Sequence, residues 1–169
     1  MRKADIEARA TEILRDHGML DMVVDPVRLA NDAGIRVFNA KFGQDDVHGL
    51  IALRNGQAKI YLNAEDHPVR KRFTVAHELG HYVLHLAGGE GEFIDDIDNF
   101  RIPVDPETAW TESRRKEWEA NTFAAALLMN EALVRRKWPE IQDVDGMARW
   151  FQVSEPAMAI RLETLGLIQ

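Results

Sequence analysis

His77 and His81 stand four residues apart with Glu78 between them, in the run His77-Glu78-Leu79-Gly80-His81. On an α-helix, positions i and i+4 lie one turn apart on the same face, with Cβ atoms roughly 5–6 Å apart. Two imidazoles at that separation can converge on one ion, because zinc–nitrogen bonds measure about 2.0–2.1 Å. Glu78 projects from the neighbouring position, near enough to reach a water at the metal without being a ligand. The chemistry such a pattern serves is metal-assisted hydrolysis with the carboxylate as general base. Its flanks are largely apolar: Phe73, Val75 and Ala76 precede it, and Val83, Leu84 and Leu86 follow. Three ionisable side chains in a buried helix are costly unless something satisfies them, and a metal ion would.

A catalytic zinc needs a third protein ligand and an open position for water. The chain has no cysteine, so the ligands must be His and carboxylate. His85 continues the i+4 series, but three histidines along one helix spread over two turns and surround one ion poorly. A second helix is the better source. In Glu117-Trp118-Glu119-Ala120-Asn121, Glu117 and Asn121 share a face while Glu119 points away. The expected ligand is therefore Glu117, with Asn121 orienting a histidine or the carboxylate. Glu119 is the alternative ligand, or else a surface carboxylate. Zinc is the expected ion, and manganese or another divalent ion suits the same donors. An oxyanion stabiliser is also needed, and Tyr82, His85 and His48 are the candidates.

These residues must be positioned by their elements. Ile6, Ala10, Ile13 and Leu14 have helical spacing over 4–17, with Gly18 as a stop. Asp25-Pro26 reads as a cap followed by proline in the first turn of a short helix ending at Gly34. The period then changes: 35–38, 49–53 and 59–63 read as strands, with Asn55-Gly56 as a hairpin turn. Asp66-His67-Pro68 starts the helix that carries the histidines, expected to run to about Ala87, where Gly88-Gly89 breaks it. Residues 88–112 form the one irregular stretch, rich in Asp and Glu and carrying Pro103 and Pro106, and read as a solvated acidic loop. Helices follow over 113–129 and from Asn130 to Trp138, with Pro139 after the second. Residues 147–167 form a helix-turn-helix-like tail in which Ser154 caps the second helix and Gly166 ends it. The expected architecture is one α+β domain over residues 1–169, mostly helical, with a small, largely antiparallel three-stranded sheet.

The formal net charge of −7 counts against a broad electrostatic grip on nucleic acid. In the tail, Glu155, Pro156, Ala157, Met158 and Ala159 fall where a recognition helix needs polar and basic groups, so packing on the core is expected and direct DNA binding is not. No apolar run is long enough to span a bilayer, and the charged start does not read as a signal peptide; a cytoplasmic location is expected.

The run Arg72-Phe73-Thr74-Val75-Ala76-His77-Glu78-Leu79-Gly80-His81-Tyr82-Val83-Leu84-His85 resembles the core signature of the ImmA/IrrE-type metallo-endopeptidases. The later Glu117-Trp118-Glu119-Ala120-Asn121-Thr122-Phe123-Ala124-Ala125-Ala126-Leu127-Leu128-Met129 resembles that family's second signature. The likeness extends over nearly the whole chain. It implies a zincin-like fold, a His-His-Glu metal site falling on His77, His81 and Glu117, and Glu78 as the catalytic carboxylate. It also implies a protein substrate, a helix-turn-helix repressor or an antitoxin, whose cleavage changes transcription in mobile elements or stress responses. Asn130 stands where the family usually has proline; asparagine also starts helices, so the local turn is expected to survive. The 88–112 segment is longer than usual between the motifs, which bears on substrate access. A different reading is a non-cleaving regulatory binding protein, or a toxin–antitoxin component, with a structural metal site.

Overall fold

The computed structural model describes residues 1–43, 47–86, 91–96 and 111–169, with the backbone alone for 91–96. Helix α1, Lys3–Asp16, buries Ile6, Ala10 and Leu14 along one stripe, and Gly18 leaves it at φ +68°. Helix α2, Pro26–Asp32, starts as its sequence requires, with Asp25 Oδ1 accepting from the amides of Val27 and Arg28 at 3.1 Å. That satisfies two of the donors a helix start otherwise leaves open.

Strands β1 (Arg36–Ala40), β2 (Val47–Arg54) and β3 (Gln57–Asn63) follow. Asn55 and Gly56 both adopt positive φ, 50° and 71°, which is the two-residue turn whose twist suits a hairpin. The turn sets the β2–β3 register, from Arg54 opposite Gln57 to Gly49 opposite Leu62. β1 pairs with β3 in parallel, so the sheet is mixed, although two of its three pairings are antiparallel. A fourth strand, β4 (Gly91–Asp96), joins the other edge of β2 and completes the order β1-β3-β2-β4. It lies inside the stretch read from sequence as an irregular acidic loop, a reading that this strand corrects. Its pairing is made by backbone, which acidic composition does not prevent. Residues 97–110 of that stretch lie outside the described residues.

Helix α3, Pro68–His81, is capped by His67, whose Nδ1 accepts from the Val69 amide at 3.2 Å. Its α-helical winding ends at His81, and Tyr82–Leu86 form a π-helical turn. The single long helix expected from the sequence thus changes winding beside the histidines, a feature that often accompanies functional sites. Helix α4, Glu112–Leu128, is capped by Thr111, and α5, Glu131–Ile141, by Asn130, whose Oδ1 accepts from Ala132 at 3.1 Å. The turn at Asn130 survives as expected. Pro139 does not follow α5 but sits within its last turn, and the helix closes at Gln142 in the left-handed region.

Helices α6 (Val144–Phe151) and α7 (Glu155–Thr164) form the tail, with Asp143 and Ser154 as caps. Met147, Phe151, Met158 and Leu162 are buried together with Ile6, Leu14, Phe123 and Leu127 in one contiguous apolar core. Buried Arg161 fastens α7 to the rest, donating to the Met129 carbonyl at 3.0 Å and to Glu7 at 2.8 Å. No described helix is long and apolar enough to cross a membrane.

Candidate metal centre

The centre is built where α3 crosses α4. Gly80 and Ala120 let the two helices approach closely: a Cβ on Gly80 would lie 3.2 Å from the Cα and carbonyl oxygen of Ala120 and 3.1 Å from the Phe123 ring. The small residues at the crossing set the separation at which α4 can deliver a carboxylate to the α3 histidines. Glu117 arrives there. Its Oε2 lies 3.2 Å from His77 Nε2 and 3.3 Å from His81 Nε2, and the two imidazole nitrogens are 3.0 Å apart.

Three donor atoms thus form a nearly equilateral triangle with edges of 3.0–3.3 Å. A tetrahedral zinc ion with bonds of about 2.0–2.1 Å would hold its ligand atoms about 3.3–3.4 Å apart. His77, His81 and Glu117 can therefore hold a divalent ion after only a slight expansion of the triangle, and all three are buried.

Two of the donors are held in the forms that suit an ion. Burial pushes the His81 imidazolium down to about 4, although the neighbouring Glu117 pulls the other way. Burial alone would raise the Glu117 carboxyl, but the hydrogen bonds from His77 and His81 outweigh it and hold it down to about 2. The pair is thus a neutral base beside a carboxylate at neutral pH, and metal binding requires ligands in those forms. His77 Nδ1 lies 2.9 Å from the Asn121 amide oxygen. With an ion bound, Nδ1 would donate to that oxygen and leave the lone pair of Nε2, the nitrogen that faces the centre, for the metal.

Glu119, weighed from the sequence as alternative ligand or surface carboxylate, is not at the surface and is not among the three converging donors. It is buried, lies 3.7 Å from His85 and pairs with the Met1 α-amino group. Its position two residues from Glu117 turns it away from the histidine pair, as the helical period demands. His85 is held on that same side, with Nε2 donating to the Lys116 carbonyl at 3.2 Å; burial lowers its pKa. His48 is half-buried on β2, with Nδ1 2.8 Å from Asp66.

Glu78, fully buried, faces the sheet. A Cβ on Gly49 of β2 would come within 3.0 Å of Glu78 Oε1 and 2.3 Å of the Thr74 methyl group. Gly49 is therefore a positioning residue that the sequence reading passed over. An isolated glycine within a strand pattern is the signal for such a close approach.

The family model for the IrrE N-terminal-like domain, Peptidase_M78, matches residues 30–163. The chain belongs to this family. The match spans the sheet, both helices of the crossing and most of the tail. No curated protein matches the sequence. Among solved structures, a Mycobacterium tuberculosis transcriptional regulator is similar, with a TM-score of 0.66 at 20% identity. The likeness covers 94% of this chain and 47% of that one, so the chain spans about half the length of that relative and shares its fold.

Proposed function

We propose that this family member is a zinc-dependent endopeptidase that cleaves a regulatory protein. The observation that carries the reading is the triangle of His77 Nε2, His81 Nε2 and Glu117 Oε2 with Glu78 on the adjoining helical position. When bound there, zinc would polarise a peptide carbonyl and ease the ionisation of water. Glu78 is the general base that takes the proton from the attacking water and returns it to the leaving amine. Asn121 fixes the His77 ring, and Gly49 lets the β2 backbone lie against the Glu78 carboxylate. Manganese or another divalent ion suits the same donors.

The substrate we infer is a helix-turn-helix repressor or an antitoxin, cleaved in the cytoplasm with a consequence for transcription. The packing of α7 through Arg161, Met158 and Leu162 supports a structural role for the tail and not a DNA-reading one. Co-expression of the protein with a repressor encoded beside it tests the reading. Loss of the full-length repressor, blocked by chelation and by Glu78→Gln, is expected. A stable complex with uncut repressor would favour the sequestering alternative.

A further inference from the structure

The reading above requires an extended polypeptide to reach Glu78, yet His77, Glu78, His81 and Glu117 are all at most 4% exposed. A groove of about 740 Å³ between α3, α4 and α7 reaches Asn121, but none of those four residues lines it. Polypeptides commonly dock on proteins as an added strand at a sheet edge, held by backbone hydrogen bonds. Strand β2 lies against the proposed general base through Gly49. One edge of β2 is filled by β3, and the other by β4 of the same chain.

We propose that β4 occupies the edge at which a substrate strand docks, so that the described structure is the self-covered form of the site. This rests on the peptidase reading. β4 runs antiparallel to β2 over six residues, placing Asp95 opposite Gly49, Ile94 opposite Leu50 and Phe93 opposite Ile51. The register shifts between Val47 and Gly49, so the ladder is irregular at the residue that abuts Glu78. β4 also touches α3, the helix of the histidines. It is an edge strand with a short ladder, and such strands exchange with competing strands more readily than central ones. A substrate would enter by displacing β4 and would adopt the same antiparallel direction, with its backbone across Gly49.

The test uses the full zinc-loaded chain. Phe93→Pro/Ile94→Pro removes the amides of two consecutive residues, one of which faces β2 in any antiparallel ladder. Zinc transfer to a chromogenic chelator is expected to accelerate at least tenfold, and a fluorescein-labelled peptide of residues 89–98 is expected to bind this variant and not the parent. The cysteine-free chain also permits a single staple, Ala52→Cys/Glu92→Cys, at register partners on the two strands. Oxidation of that pair is expected to slow zinc transfer at least tenfold, and a phosphine reductant to restore it. Unchanged transfer in both variants, or no peptide binding by an opened site, overturns the proposal. Faster transfer and peptide binding without hydrolysis of labelled casein would uphold the cover and refute the peptidase reading instead.

Discussion

The contact of His77 Nδ1 with the Asn121 amide leaves Nε2 to face the centre, and Asn121 is not itself one of the three converging donors. Partners of this kind typically contribute 10–100-fold to metal affinity. Asn121→Ala is therefore expected to weaken zinc binding by about that factor while leaving the fold intact, as read by competition with a zinc indicator. Removing the two buried carboxylates separates their roles. Glu117→Ala should abolish stoichiometric zinc binding, whereas Glu119→Ala should retain the ion and lower the unfolding free energy by about 1–3 kcal/mol, the worth of the charged hydrogen bond it accepts from the Met1 α-amino group. At this scale the sequence is informative because helical geometry is local. The i, i+4 spacing joins His77 to His81, and a shared face joins Glu117 to Asn121. The burial of Glu119 is not local. It depends on the winding of the π-helical turn that carries His85 and on where Met1, just ahead of α1, falls, neither of which a single helical period encodes.

Between the elements, the α3–α4 crossing is the feature on which the ligand triangle depends. Gly80→Ala gains helix propensity of up to about 1 kcal/mol, but its Cβ would press on Ala120 backbone at 3.2 Å. Overpacking of this sort costs typically 1–3 kcal/mol, and it would push Glu117 away from the histidines. The variant should therefore lose zinc affinity out of proportion to its loss of thermal stability, which titration and calorimetry on the same sample would show. The caps at Asp25, Asn130 and Ser154 and the Asn55-Gly56 turn are readable from sequence because each satisfies backbone within a few residues. The parallel pairing of β1 with β3 and the addition of β4 to β2 involve partners separated by about twenty to fifty residues, and no local pattern announces them. Pro139 misled for a related reason: it forgoes only the bond its amide would have donated to the Arg135 carbonyl, and α5 needs just two more residues before closing at Gln142.

Across the whole molecule, Arg161 is the tie between the tail and the body. Its guanidinium is buried and bonds Glu7 of α1 and the carbonyl of Met129, just beyond α4. Arg161→Ala strands the Glu7 carboxylate and is expected to destabilise the protein by about 3 kcal/mol, visible as a lowered urea midpoint. The family could be recognised from two long motifs in order, because a metal site must conserve its spacing within each helix even when the loops between them change. What covers the site could not be read that way, since sheet edges are filled by backbone. The account stands on one claim, that His77, His81 and Glu117 hold the ion. Anomalous diffraction at the zinc edge from zinc-soaked crystals tests it most directly. The account predicts one strong peak about 2.0–2.2 Å from both Nε2 atoms and the Glu117 carboxylate; a peak beside His85 and Glu119, with none at the triangle, would contradict it.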